Sequence, residues 1–428
     1  MKGTRNSFPR AVSTILTGAL VLSWPTLCAH AQGPAERLGR GPVYVPGQYI
    51  VVLKDEIPDP GQTAAQMAQA HGLGVGHVYS AAIKGFSATI PEARLRALKN
   101  DQRVKYVEQD QENYAFAQTL PTGVNRIAAE RNPNASINGV DERVNVDVAI
   151  IDSGIQGNHP DLYVVGGVNY TSNNRKAWGD GHGHGTHVAG SAAAKDNDIG
   201  VVGVAPGARL WAVRVLDNAG SGYNSWSIAG VDWVTANAGT IEVANMSLGG
   251  GNSPTLNQAI ARSVARGVTY VVAAGNSAVD AGTTSPANNT TPGVITVSAI
   301  ADSDGACGGV GVGTGYGADD TLASFSNFGS AVDIAAPGVS IYSTYPGSGY
   351  AFMSGTSMAA PHVAGAAALY IAKNGRVSPH LVEAALKTNG VAQGDSCVGD
   401  STLNNTDRGG FTGDKDGISE PLLNVAGS

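Results

Sequence analysis

Charge is scarce in this 428-residue chain. Only 14% of residues are Asp, Glu, Lys or Arg and 42% are hydrophobic, a balance that excludes a disordered chain and implies a folded core. Basic charge is scarcer still. Residues 117–428 hold 15 Lys and Arg against 25 Asp and Glu, with no basic stripe, so nucleic acid is not an expected partner. Cysteine is limited to three residues, too few for a disulfide scaffold. An apolar stretch at 11–22 is interrupted by Thr14 and Thr17 and followed by Ser23 and Pro25. It falls short of the ~20 residues a membrane span needs, so stable membrane association is not expected. Glycine is abundant at 58 residues but has no three-residue period, which excludes a collagen-like fibre. It gathers beside apolar runs, where tight turns punctuate buried strands.

What is present begins with a leader. Lys2, Arg5 and Arg10 precede the apolar stretch, and Ala29-His30-Ala31 has the small-x-small form of a signal-peptidase site. Residues 1–31 are therefore expected to be a signal peptide and the mature protein to be secreted. A membrane anchor is the alternative, and Leu27 before Cys28 argues against a lipoprotein. Removal of the leader leaves Cys307 and Cys397, an even pair that an oxidising compartment would join as one disulfide.

Residues 32–116 form a module of their own. Strands are expected at 48–53, 76–79, 85–89 and 104–108, with helices at 63–71 and 91–100, a small α+β domain of split βαβ order. Beyond 145 the pattern changes. Buried strands are expected at 146–151, 208–215, 243–247, 268–273 and 294–298, alternating with helices at 186–194, 225–236, 255–265, 357–373 and 379–388. That is an α/β fold with a parallel sheet covered by helices on both faces. Ligands in such sheets bind at the carboxyl ends of the strands, so polar residues just past strands become candidates.

Four residues qualify. Asp152 ends the run Val148-Ala149-Ile150-Ile151, and Asn276 follows Val271-Val272-Ala273-Ala274-Gly275. His184 lies in Gly183-His184-Gly185-Thr186-His187, and Ser357 in Gly355-Thr356-Ser357-Met358-Ala359-Ala360-Pro361-His362. Taken singly, each reads as a turn residue or helix cap. Together they supply a nucleophile, a base to take its proton, a carboxylate to orient the base, and an amide to hold a developing oxyanion.

These four segments, in this order, closely resemble the subtilisin-like serine peptidases (subtilases), and the resemblance covers essentially all of 117–425. It implies a subtilisin-like catalytic domain at 117–428 and an inhibitory propeptide at 32–116. It also implies a secreted, self-maturing endopeptidase acting through an acyl-enzyme on Ser357. His184, which opens His-Gly-Thr-His, would be the base. Tyr114-Ala115-Phe116 before Ala117-Gln118 resembles the family's maturation boundary, so self-cleavage is expected between Phe116 and Ala117. Ser247, Leu248, Gly249 and Gly250 resemble the segment that pairs with an extended peptide. Gly220, Ser221 and Gly222 would line the other side of the groove, and Ala273, Ala274 and Gly275 the facing wall of the primary pocket. Without an acid at these positions, large apolar or aromatic residues are expected before the scissile bond.

Calcium is the implied cofactor. The loop Lys195-Asp196-Asn197-Asp198-Ile199-Gly200-Val201 offers hard oxygen ligands, and alone it reads as a polar turn. The resemblance adds Gln118 and Asp161 as side-chain ligands, with Asn197 and the carbonyls of Lys195, Ile199 and Val201. Protein and peptide substrates and the chain's own propeptide are the expected partners of a monomer. Two other readings stay open. One is a catalytically inactive scaffold of the same fold. The other is a zinc hydrolase using His182, His184 and His187, though Thr186 stands where that motif usually has Asp.

Overall fold

The structure, a computed structural model, describes residues 44–111, 118–400 and 405–427. The expected signal peptide (1–31) and the expected cleavage bond between Phe116 and Ala117 lie outside the described residues.

The N-terminal module runs β1 (Tyr44–Leu53), α1 (Pro60–His71), β2 (Gly74–Tyr79), β3 (Gly85–Thr89), α2 (Glu92–Lys99) and β4 (Val104–Gln111). Its antiparallel sheet has the order β2-β3-β1-β4, the expected split βαβ arrangement. The helices cover one sheet face through Met67 and Leu98, which pack with Val51 and Phe86 in a core of their own. Local signals set the start of α1: the Asp59 side chain accepts from Gln62 N at 2.9 Å, and Pro60 occupies the first turn.

The larger body is built on an eight-stranded sheet. Its strands are β5 (Asp147–Asp152), β6 (Val164–Asn169), β7 (Arg209–Arg214), β8 (Val243–Met246), β10 (Thr269–Ala273), β12 (Val294–Ala301), β13 (Thr321–Leu322) and β14 (Ile334–Pro337). The order is β13-β12-β10-β8-β5-β7-β6, with β14 beside β12. Every pairing is parallel except β12 with β13. Two short strands, β9 (Gly250–Gly251) and β11 (Thr284–Ser285), pair outside this sheet.

A central strand buried on both faces reads as an unbroken apolar run, and β5 shows why. Val148 and Ile150 enter one core with Val188 and Val363, whereas Ala149 and Ile151 enter the other with Val231 and Ile260. After the one-turn α3 (Thr122–Arg126), the first layer is made by α4 (His184–Ala193), α7 (Thr356–Asn374) and α8 (Pro379–Asn389). The opposite layer is made by α5 (Asn224–Ala236) and α6 (Pro254–Val264).

The sequence reading omitted β6, whose VVGGVN carries a glycine pair, and the hairpin of β15 (Ile341–Tyr345) and β16 (Gly349–Met353). That hairpin lies against α4, and both of its strands accept from the buried ring of His187. Cys307 and Cys397 form a disulfide. The glycine-rich insertion between Cys307 and Asp320 leaves Val310 and Val312 81% and 84% exposed, so it has little core to hold it. The C-terminal arm closes on the body, where Leu422 and Val425 are buried and Val425 N donates to Ile127 O at 2.9 Å.

Candidate active site

The strand order does the first part of the assembly. β5, β8 and β10 are neighbours, so Asp152 at the end of β5, Ser247 just past β8 and Asn276 just past β10 emerge side by side at one edge of the sheet. His184 and Ser357 reach the same edge from the first turns of α4 and α7.

The candidate acid and base are in contact. His184 Nδ1 lies 2.8 Å from Asp152 Oδ1 and 3.0 Å from Oδ2, while the Asp152 side chain is fully buried. Burial alone would lower the imidazole pKa. The charge of Asp152 and its hydrogen bond outweigh burial, with help from the charge of Asp180, and hold the ring above its ordinary 6.5. A proton on Nδ1 leaves Nε2 as the basic atom.

The helix that carries His184 sits very close to β5. A Cβ on Gly185 would lie 2.2 Å from Gly154 O and 3.2 Å from Asp152 Cβ, so only glycine permits this approach. Asp180, which the sequence reading passed over, fastens the arrangement. Its Oδ1 accepts from Ser153 Oγ (2.9 Å), His182 N (2.9 Å) and Gly183 N (2.8 Å). Its Oδ2 accepts from Thr186 N (2.9 Å) and Thr186 Oγ1 (2.6 Å). Ser153 Oγ in turn accepts from Gly185 N at 2.9 Å. A carboxylate is thus placed at the start of α4, where it suits the helix dipole. The available signal was an acid a few residues before an apolar helix.

Ser357 is positioned by an unusual helix start. Pro361 has no N–H, so the carbonyl of Ser357 loses its intrahelical donor. Ser247 Oγ replaces that donor at 2.7 Å and is itself held by Asn245 Nδ2 at 2.9 Å. Ser357 Oγ donates back to Ser247 O at 3.2 Å, which leaves the hydroxyl tethered by one long bond.

The candidate oxyanion donor is fixed by what its oxygen does. Asn276 Oδ1 accepts from Thr356 N (2.8 Å) and Thr356 Oγ1 (2.9 Å), which turns Nδ2 outward. Both Nδ2 and the backbone N of Ser357 lie within 4 Å of the space above Gly355. Asn327, also unforeseen, holds the supporting turn by donating to Ala274 O (2.8 Å) and accepting from Ser277 N (3.0 Å).

Two cavities flank these groups. One of about 370 Å³ is walled by Leu248–Gly251 and Ala273–Asn276, closed by Thr284, Ala287 and Asn327, and opens at Ser357. No charged side chain lines it. The other, of about 450 Å³, runs past His184 and His182 between Gly220–Gly222 and Ser247–Gly250. Gly250 and Gly251 already pair with β11, so a peptide added to this segment has the other edge and residues 247–249 to use.

The three histidines do not form a metal site. His187 is fully buried, its Nε2 lies 3.0 Å from both Ile341 O and Ala351 O, and burial drives its pKa down to about 3. His182 stands 6.2 Å from His184, ring centre to ring centre. Among the described residues, the one group of three or more His, Cys, Asp or Glu side chains that converges is Asp302, Asp304 and Asp319, elsewhere in the fold.

Several of the expected calcium ligands are joined by hydrogen bonds near the start of the body. Gln118 Nε2 donates to Lys195 O (2.6 Å) and Val201 O (3.2 Å), and residue 119 bridges to Val201. Asn197 Oδ1 accepts from Ile199 N at 3.3 Å. Asp161 Oδ2 accepts from Val201 N at 3.0 Å, while its Oδ1 is buried without a partner. An orphaned carboxylate oxygen beside carbonyls fits a hard cation.

Comparison with known proteins agrees with this geometry. Residues 143–411 match the model of the subtilase family, and residues 48–115 that of peptidase inhibitor I9. The chain is 42% identical to subtilisin E of Bacillus subtilis over 68% of this chain and 71% of that protein. It is 43% identical to subtilisin DY of Bacillus licheniformis over 65% and 94%. The solved structure of a cold-adapted subtilisin-like serine proteinase aligns with a TM-score of 0.55 and 35% identity, covering 72% of this chain and 98% of that one.

Proposed function

Because this chain belongs to the subtilase family and carries that family's I9 inhibitor domain, we propose that it is a secreted, self-maturing serine endopeptidase with Ser357 as its nucleophile. The observation that carries the reading is the contact between His184 Nδ1 and the buried Asp152 carboxylate, at the edge where Ser357 and Asn276 also emerge.

Ser357 Oγ turns from Ser247 O to His184 Nε2, gives up its proton there and attacks the scissile carbonyl carbon. Negative charge moves to the carbonyl oxygen, held by Asn276 Nδ2 and Ser357 N–H at the positive end of α7. Collapse breaks the C–N bond, and His184 protonates the leaving amine. Water then repeats the sequence against the acyl-enzyme and releases the acid. Asp152 stays ionised and stabilises the imidazolium. The uncharged 370 Å³ cavity supports a large apolar or aromatic residue before the scissile bond. Cleavage after Phe116 follows from that preference, with residues 1–31 directing export. Gln118, Asp161, Asn197 and the carbonyls of Lys195, Ile199 and Val201 would hold a structural calcium ion, which stabilises the folded state by binding it alone.

Intact mass of the purified precursor and of Ser357→Ala, each refolded alone with calcium, tests the proposal. The parent is expected to lose residues up to Phe116 and the variant to stay whole. If both folded proteins remained whole, the inactive scaffold would replace this reading; if both were cut alike, Ser357 would not be the nucleophile.

A further inference from the structure

Asp302 follows β12 directly, and with Asp304 it enters the glycine-rich insertion that Asp319 leaves. These three residues bring one carboxylate oxygen each within 4.8 Å of one another. Asp304 is exposed, but Asp302 and Asp319 are only 1% and 4% accessible. A solvated surface patch does not bury its members in this way.

Most of the oxygens have donors. Asp302 Oδ1 accepts from Gly305 N (3.1 Å), and Asp304 Oδ1 from Ala306 N (2.9 Å). Asp319 accepts from Ser303 N (2.8 Å), Ser303 Oγ (3.0 Å) and Gly311 N (2.9 Å). Asp302 Oδ2 is sealed from solvent and has none.

Nor is the charge matched. Arg126 is the basic group that acts on Asp302, yet its guanidinium is committed to Asp320 Oδ1 (2.8 Å) and the carbonyls of Gly409 (3.0 Å) and Gly410 (3.3 Å). Among the described residues no ion pair reaches the triad. Ionised, the triad needs a positive charge that the chain does not provide.

We propose that Asp302, Asp304 and Asp319 hold a calcium ion, at a site separate from the one around Asp161. An all-oxygen anionic set selects a hard cation. Calcium, bound at about 2.3–2.6 Å in a flexible shell, tolerates carboxylates that keep their backbone N–H donors, whereas magnesium demands near-ideal octahedral geometry. The exposed side at Asp304 leaves room for water to complete the shell. The ion joins the entrance of the insertion to its exit, beside the Cys307–Cys397 bond.

The full chain carrying Ser357→Ala, stripped with a chelator, allows calcium binding to be counted by equilibrium dialysis without self-digestion. Asp304→Asn keeps an acceptor for Ala306 N while removing a charge from the exposed side. It is expected to weaken one calcium equivalent at least tenfold, and Asp161→Asn to leave that equivalent in place. Calcium should slow amide exchange across residues 306–318 in the parent and not in Asp304→Asn. If Asp304→Asn fails to fold, Asp302→Asn is read in the same way. The proposal is overturned if folded variants bind as many calcium ions as tightly as the parent. It is equally overturned if exchange across 306–318 ignores calcium, or if Asp302→Asn raises Tm equally with and without calcium while the parent gains nothing from the ion.

Discussion

Replacing Asp180 by Asn isolates the fastening of the catalytic base from the chemistry it serves. The carboxylate accepts five hydrogen bonds, three on Oδ1 and two on Oδ2. An amide keeps one accepting oxygen, so the smallest loss is the pair to Thr186, together with the negative charge at the start of α4. A hydrogen bond to a charged group contributes about 1.5–3 kcal/mol and the helix-end charge about 0.3–1 kcal/mol. The expected cost is about 3–7 kcal/mol, a fall in Tm of roughly 4–10 °C, measured by thermal unfolding in a Ser357→Ala background. Looser placement of His184 should reduce kcat about 10- to 100-fold at nearly constant KM. The pH profile adds a readout that destabilisation alone does not move. Activity requires neutral His184, whose pKa is held above 6.5 partly by the charge of Asp180, so the acid limb should shift to lower pH in Asp180→Asn. A variant of lowered Tm with unchanged kcat and an unmoved acid limb would refute the positioning role.

Asp152→Asn removes the main support of the His184 proton, so the acid limb should fall further and kcat drop about 10⁴-fold, read on a short aromatic peptide substrate. Asn276→Ala should cost about 3 kcal/mol in kcat with KM little changed, the loss such a donor carries in subtilisins. Gly185→Ala drives a methyl group into Gly154 O and should block maturation, seen as precursor of unchanged mass. Burial holds His362 at about 4 in the folded state, while the unfolded chain takes up its proton near 6.5. That histidine therefore withdraws stability as pH falls from 6.5 toward 4. In urea unfolding, His362→Asn should flatten the pH slope by about 1.4 kcal/mol per unit relative to the parent.

The sequence was most informative where burial imposes a pattern. The run Val148-Ala149-Ile150-Ile151 marks β5 because both faces are covered, and the small-residue stretch after Ser357 marks α7 because it passes beneath the sheet. The strand β6 escaped notice because Gly166 and Gly167, which face Trp211 and Trp178, dilute its apolar signal. The site residues carried by short motifs were legible, since each motif sits at the end of a buried element. Their supports were not. Asp180 and Asn327 are single polar residues that bond to segments 27 and 53 positions away, Asn245 acts through Ser247, and Ser247 answers Pro361 across 114 positions. The Asp302 triad was missed for the same reason, because Asp319 returns to it only after the insertion closes.

The central position of β5, β8 and β10 has a thermal consequence. Asp152, Ser247 and Asn276 hang from strands with hydrogen-bonded neighbours on both sides, so their backbone yields only when the whole sheet does. The walls of the cleft are made otherwise. Residues 217–220 form a turn, 221–223 follow without regular structure, and β9 and β11 meet over two residues each. As temperature rises, the walls should slacken first, so discrimination between large and small side chains fades while bond cleavage persists. If the proposed function holds, warming makes the protease less choosy before it makes it inactive.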